Sequence, residues 1–229
     1  MIQVIEDSYN HETRQARHDW AEVTGEMREL APTQLYNTES GKAYATILGG
    51  VGYPANLEPG CVIVVGVTTD PVIEVLEFVE HTSIYDVFEQ MVKYRRKYRH
   101  GSHHAILPHW YGDPDRFMTP VITVSTQMEA RRGAGLGLYI RPPVDWADPH
   151  KLPLYMWQLR SALGNGQLSR EMPATLHGRI QSIQPDMIEQ GKVQDYPAVG
   201  TLAGLVHSIM YEKPWRRDID HGKPIITEI

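Results

Sequence analysis

The fold is decided by residues 42–115, KAYATILGGVGYPANLEPGCVIVVGVTTDPVIEVLEFVEHTSIYDVFEQMVKYRRKYRHGSHHAILPHWYGDPD. Apolar, β-branched runs separated by turn residues predict strands, and apolar residues spaced three and four apart predict a helix. The predicted elements are strands AYATIL (43–48), CVIVVGV (61–67), VIEVLEFVEH (72–81) and AILPHWY (105–111), with helix SIYDVFEQMVKYRRKY (83–98) before the last strand. The second strand has almost no polar residue, so we expect both of its faces to be buried.

The 229 residues have the size of one domain with appendages. Residues 1–41 are predicted to form an N-terminal helical appendage, with an exposed helix over 11–27. Residues 42–215 are predicted to form the main domain, and residues 216–229 a C-terminal tail.

The C-terminal half of the main domain is predicted to be helical. A helix over 149–166 is expected to stop at Gly164, and the segment 174–192 is expected to break at Gly178 and at Pro185. A further apolar helix is expected within 195–215, where small residues would allow it to lie close to the sheet.

Composition excludes several classes of protein. The net charge of −6 argues against a protein that coats nucleic acid by bulk charge. No run approaches the roughly 18 apolar residues of a membrane span, and the first residues lack the pattern of a secretory signal. The single cysteine, Cys61, lies in an apolar strand, where we expect a core thiol. We therefore expect a cytoplasmic protein.

Two residue clusters do not match the sites that they first suggest. His100, His103, His104 and His109 lack a cysteine or an acidic cluster at zinc-like spacing. The stretch RRGAGLGLY (131–139) lacks the GKS or GKT ending of a phosphate loop, and the chain has no Walker A motif. We interpret this stretch as a hairpin turn.

The order of these elements resembles the ribonuclease-H-like nuclease domain of viral (phage) terminase large subunits, the DNA-packaging motors. The resemblance covers roughly residues 42–212 and depends on ILGGVGYP (47–54), YGDPDRF (111–117) and DYPAVGTLAGLVHSIM (195–210). It implies a three-layer α/β fold, in which helices flank a mixed five-stranded sheet of order 3-2-1-4-5. Strands one and four would then be parallel neighbours, and VITVS (121–125) would be the fifth strand.

The resemblance also implies a cluster of acids that binds two Mg²⁺ or Mn²⁺ ions for phosphodiester hydrolysis. Asp113 matches the acid after strand four, with Asp115 beside it, and Asp195 matches the start of the last helix. The acid expected in strand one is absent, because Gly49 and Gly50 stand in its place. A glutamate such as Glu77 is a candidate to replace it. Asp113 could equally cap a turn, and Asp195 could cap a helix.

Basic residues in two places are candidates for contacts with nucleic acid. They are Lys93, Arg95, Arg96, Lys97 and Arg99 at the end of the predicted helix, and Arg131 and Arg132 before the glycines. The first group also suits the negative end of the helix dipole, so a plain structural role stays open.

Three hypotheses follow for the function. In the first, a degenerate ribonuclease-H-like domain binds DNA or a packaging partner, such as a separate ATPase or a portal-like protein. In the second, the chain is a Mg²⁺- or Mn²⁺-dependent endonuclease with catalytic Asp113 and Asp195, and with Asp113, Asp115 and Asp195 as metal ligands. In the third, the domain is purely structural. The missing strand-one acid favours the first hypothesis.

Overall fold

The structure of the chain is a computed structural model, and it describes residues 3–5, 20–24, 35–37, 42–55, 57–68, 72–100, 104–105, 110–113, 116, 140–148, 150–184, 186 and 196–212. The described residues form an α/β fold with a mixed β-sheet and four helices.

The main sheet contains eight described strands. They are β1 (Gln3–Ile5), β2 (Trp20–Thr24), β3 (Leu35–Asn37), β4 (Ala43–Gly52), β5 (Gly60–Thr68), β6 (Ile73–His81), β9 (Trp110–Tyr111) and β10 (Ile140–Arg141). A separate antiparallel pair consists of β7 (Arg99–His100) and β8 (His104–Ala105).

The centre of the sheet has the order β6-β5-β4-β9-β10. This is the predicted order 3-2-1-4-5, which is confirmed. Strand β5 is antiparallel to both of its neighbours, whereas β9 is parallel to β4, with Gly49 opposite Trp110 and Gly50 opposite Tyr111. The carboxyl ends of β4 and β9 therefore meet at one end of the sheet, as the resemblance implies.

The N-terminal segment differs from its prediction. Trp20–Thr24 is a strand, so the helix predicted over 11–27 is wrong there, and the rest of that range lies outside the described residues. Strand β2 pairs with β3, and β3 pairs with the start of β4, so this segment extends the main sheet. Pairing between distant strands overrides the local helical spacing, and the aromatic and β-branched residues of WAEVT suit a strand.

The fifth position of the central sheet also differs from its prediction. Strand β10 (Ile140–Arg141) occupies it, parallel to β9 and opposite Trp110. The strand predicted at 121–125 lies outside the described residues. So does the predicted tail, residues 216–229.

The four described helices are α1 (Ile84–Lys97), α2 (Leu152–Gly164), α3 (Ala174–Ser182) and α4 (Pro197–Glu212). Ser83 caps α1, because its side chain accepts a hydrogen bond from the backbone N–H of Tyr85. The predicted break at Gly178 is wrong, since α3 continues through it. None of the described helices combines the length and apolarity that crossing a bilayer requires.

The helices form layers on opposite sides of the sheet. On one side, which we call the α1 face, Val62 and Val64 of β5 pack with Phe88 of α1. On the other side, the α4 face, the alternate β5 residues Ile63 and Val65 pack in the core that α2, α3 and α4 share. Strand β5 is buried on both faces, as its sequence predicts.

Candidate functional site

A cleft opens on the sheet where β4 and β9 end, and we call it the β4–β9 cleft. It encloses about 430 Å³, part of it open to solvent. Its described lining residues come from the end of β4, the turn after β9, the turn after β10 and the start of α4: Val51, Gly52, Tyr53, Tyr111, Gly112, Asp113, Arg116, Pro143, Trp146, Pro197, Gly200 and Thr201. The structure therefore brings together the three motifs that suggested the nuclease resemblance.

Asp113 lies in this cleft, with 18% of its side chain exposed. Its carboxylate contacts Arg116 twice: Oδ2 is 3.4 Å from Arg116 Nε, and Oδ1 accepts a 3.4 Å hydrogen bond from the backbone N–H of Arg116. The second contact fits the turn-capping interpretation of Asp113. The first gives its charge a partner within the same turn.

Glycines and α4 occupy the place where a strand-one acid would lie. A Cβ atom at Gly50 would be 2.5 Å from Leu205 Cδ1 and 2.6 Å from Thr201 Cγ2, both in α4. A Cβ atom at Gly49 would be 2.4 Å from the indole of Trp110, on the other face. These distances are shorter than real Cβ contacts, so neither position has room for a side chain.

The remaining acidic candidates do not join Asp113 in the described part of the chain. Asp115 and Asp195 lie outside the described residues. The prediction that Glu77 replaces the strand-one acid is wrong. Its carboxylate accepts hydrogen bonds from Lys97 at 2.5 Å and from Tyr98 at 3.0 Å, on the α1 face. Strand β5 separates Glu77 from β4, which explains why it does not reach the cleft.

The described residues of the cleft do not fit a pair of divalent ions. Two such ions need several carboxylates to offset their charge. Asp113 is the one acid among the described lining residues, and Arg116 is its partner. Within the described ranges, no three His, Cys, Asp or Glu side chains are grouped closely enough to hold a metal ion.

The basic candidates that the structure describes lie away from this cleft. Helix α1 carries Lys93, Arg95 and Lys97 on the opposite face of the sheet, where Lys93 is exposed and Lys97 pairs with Glu77. The side chains of the other four basic candidates lie outside the part of the chain that the structure describes: Arg96, Arg99, Arg131 and Arg132. Among the described residues, the basic side chains of α1 therefore do not form one continuous surface with the β4–β9 cleft.

Most lining residues were not predicted from the sequence, among them Tyr53, Arg116 and Trp146. The first two lie inside the quoted motifs ILGGVGYP and YGDPDRF, so the motifs themselves were a usable signal. Trp146 follows Pro142-Pro143 in a turn that no motif covers, and only its position in the fold reveals it.

The turn that carries Trp146 is held by α2 and α4. The backbone N–H of Val144 donates a 3.1 Å hydrogen bond to Ser208 of α4, and the carbonyl of Val144 accepts one from Tyr155 of α2. The rings of Trp146 and Tyr155 lie 6.2 Å apart. One wall of the cleft is therefore fixed to the helical layer.

Cys61 is a buried core thiol, as the sequence predicts. Its Sγ donates to Thr201 Oγ1 at 3.7 Å, beside the glycines of β4. Burial raises the pKa of the Cys61 thiol to about 12, so the thiol stays protonated and does not act as a nucleophile.

His207 of α4 links the stability of this region to pH. Its ring is 98% buried, stacks on Tyr155 at 4.4 Å and contacts Gln158 through Nδ1. Asp145 Oδ2 lies 3.7 Å from His207 Nε2, too far for a good hydrogen bond. Burial lowers the pKa of His207, although Asp145 opposes that effect and Lys151 adds to it.

A histidine whose pKa falls on folding takes up its proton more readily when the chain is unfolded. We therefore expect full stability above the unfolded value of about 6.5, and a loss of stability as pH falls from there toward the lower folded pKa. Urea unfolding between about pH 8 and pH 5 measures this dependence. His207→Gln is expected to flatten it.

His150→Gln is the matched control, because His150 is exposed and the chemical change is the same. The control should keep the pH dependence of the parent protein. An equally steep dependence in the His207→Gln variant would show that another group causes it.

Comparison with known proteins adds no relative: no protein-family model, curated protein or solved structure matches the chain.

Proposed function

We propose that this chain is a ribonuclease-H-like domain of the terminase-nuclease type that binds DNA in the β4–β9 cleft and has lost the metal pair. The observation that carries the proposal is the parallel pairing of β4 with β9, which brings the end of β4 and Asp113 to one cleft. The sheet order 3-2-1-4-5 and the start of α4 beside the same cleft support it.

Binding rather than cleavage is favoured by the packing around the glycines. Thr201 and Leu205 of α4 fill the space that the side chain of a strand-one acid would need at Gly50. The carboxylate of Asp113 has an arginine partner 3.4 Å away. A lone, neutralised carboxylate binds Mg²⁺ weakly, so the described residues supply too little negative charge for two-metal chemistry.

The cleft nevertheless offers groups that suit a phosphate. Arg116, about one third exposed, presents a planar guanidinium that can donate two parallel hydrogen bonds to phosphate oxygens. Helix α4 begins at Pro197 on the cleft wall, and the positive end of its dipole favours an anion there. Both features lie at the same end of the sheet.

The role in DNA packaging rests on the sequence resemblance. These 229 residues contain no Walker A motif, so the packaging ATPase that this role needs would lie outside them, in the cytoplasm of an infected cell. The cleft would then hold DNA for that motor.

We expect Arg116→Ala to weaken DNA binding by about tenfold, because it removes a phosphate contact and an ion pair that offsets the charge of Asp113. The slope of log affinity against log salt should fall by about one. Fluorescence anisotropy with labelled DNA over a series of salt concentrations measures both. Arg170→Ala removes the same charge from an exposed position, and it should leave the DNA affinity and its salt dependence unchanged.

Asp113→Asn separates binding from cleavage. If the domain only binds DNA, loss of this negative charge should tighten binding. If the chain is an endonuclease, manganese-dependent nicking of supercoiled plasmid should occur in the parent protein and disappear in this variant. A larger loss of binding in Lys93→Ala than in Arg116→Ala would move the interface to the α1 face.

A further inference from the structure

A short turn joins the β4–β9 cleft to a buried histidine of α4. Trp146 of this turn lines the cleft, and the residue before it, Asp145, has a carboxylate oxygen, Oδ2, that lies 3.7 Å from Nε2 of His207. Asp145 also has a φ of 62°, in the left-handed region that residues other than glycine seldom adopt. The same two residues thus belong to the wall of the cleft and to the surroundings of His207.

The two atoms that face each other across this gap cannot bond while His207 is neutral. Nδ1 of the ring contacts the side-chain oxygen of Gln158, which can only accept a hydrogen bond, so the ring proton lies on Nδ1. Nε2 is then an acceptor, and it has no hydrogen-bond partner among the described residues. An acceptor opposite a carboxylate is repelled, which accounts for a separation longer than a hydrogen bond.

The other groups around the ring hold it in place or compete for the same carboxylate. Tyr155 of α2 stacks on the ring at 4.4 Å, and Tyr211 of α4 lies beside it at 6.3 Å. Lys151, just before α2, has its Nζ 4.0 Å from the same Oδ2 of Asp145. In the described part of the chain, the charged groups that act on His207 are therefore Asp145 and Lys151.

We propose that His207 and Asp145 form a latch, closed by protonation of the ring, that sets the position of the Trp146 wall of the cleft. The ring takes up a proton from water at Nε2, and the new N–H donates a hydrogen bond to Asp145 Oδ2. The carboxylate then leaves Lys151 and turns toward α4. This inference concerns the cleft itself, whatever the cleft binds, and so goes beyond the proposed DNA binding.

The packing determines which side of the latch moves. A hydrogen bond between a protonated ring and a carboxylate is roughly 2.8 Å long, so Oδ2 has to approach by about 1 Å. His207 is buried and held by Tyr155 and Gln158, whereas Asp145 is exposed. Because Val144 is bonded to α4, the movement falls on the two residues after it, Asp145 and Trp146.

Nuclear magnetic resonance of the ¹⁵N-labelled protein tests the latch without any ligand. The indole N–H signal of Trp146, identified by its loss in Trp146→Phe, is followed together with the ring nitrogens of His207 from about pH 8 to pH 5. Both signals should follow one titration with a shared midpoint below about 6.5, because burial favours the neutral ring.

Asp145→Asn removes the charge that favours the protonated ring, and asparagine tolerates the same backbone conformation. It should lower the midpoint of His207 and abolish the pH-dependent shift of the Trp146 signal. Asp86→Asn makes the same change at an exposed position of α1 and should alter neither. His207→Gln, which cannot take up a proton, should leave the Trp146 signal constant over the whole range.

Three results would overturn the latch. They are a His207 ring that titrates without a response at Trp146, a Trp146 response that persists in Asp145→Asn, and a ring that stays neutral down to the pH of unfolding. Since no DNA is present in this experiment, the latch and the DNA-binding proposal can fail separately.

Discussion

Replacing Gly50 by aspartate is expected to lower the free energy of unfolding by at least about 3 kcal/mol and to create no nuclease. The new Cβ would be 2.5 Å from Leu205 Cδ1 and 2.6 Å from Thr201 Cγ2, so these packed side chains of α4 would have to shift. The carboxylate would also be placed at a buried position, where its charge is costly. Urea unfolding measures the loss, and a plasmid-nicking assay with manganese tests for activity.

Two alanine variants separate the steric cost of the Gly50→Asp change from the cost of burying a charge. Gly50→Ala introduces only the Cβ, so it isolates the steric cost, which we expect to be about 1–3 kcal/mol. Gly178→Ala is the matched control, since the α3 glycine is exposed and its added Cβ would have no atom within 4 Å. That change should stabilise the protein by about 0.5–1 kcal/mol, because alanine favours a helix interior.

The opposite result for Gly50→Asp would be informative. An unchanged free energy of unfolding, together with a magnesium-induced rise in melting temperature, would mean that α4 leaves room for an acid. The site could then be rebuilt by one substitution, and the proposed loss of the metal pair would have to be abandoned.

Trp110→Ala is expected to lower the free energy of unfolding by about 3–5 kcal/mol. Trp110 is fully buried in β9, and its ring lies directly over Gly49 of β4. Truncating the ring would leave a cavity between the two strands whose ends form the cleft. Urea unfolding measures the effect, and DNA binding should weaken in parallel if the cleft opens.

Trp157→Ala makes the same chemical change on the surface, where 56% of the tryptophan is exposed, and should cost no more than about 1 kcal/mol. Trp110→Phe should cost much less than Trp110→Ala. It keeps an aromatic ring and removes Nε1–H, a buried donor that has no hydrogen-bond partner among the described residues. A cost below about 1 kcal/mol for Trp110→Ala would contradict the packing of β9 on β4.

The packing of Gly49 and Gly50 links the fold to the proposed function. Glycine allows Trp110 to lie against one side of β4 and Thr201 and Leu205 to lie against the other. The same close approach removes the space for an acid. Tight packing of three elements and the proposed loss of the metal pair would therefore both follow from one local sequence, GG.

Sequence reasoning located part of the candidate site. The motif YGDPDRF placed Asp113 after a strand parallel to β4, and the structure confirms that position. The prediction that Glu77 replaces the missing acid is wrong, because the alternation of residues along β6 does not show which of its acids face a cleft two strands away. Trp146 was missed, because a turn between elements carries no periodic signal.

What the sequence determined by itself is the order of most strands and helices in the main domain, because apolar periodicity and turn residues act over a few neighbouring positions. The sheet order 3-2-1-4-5 was implied by the resemblance to ribonuclease-H-like domains, and the structure has that order. Only the tertiary structure decided that α4 and Trp110 close over Gly50 and Gly49, that Arg116 pairs with Asp113, and that α1 carries its cations on the opposite face. Most of these contacts join residues far apart in the chain, so their geometry depends on how whole elements pack and leaves no local pattern in the sequence.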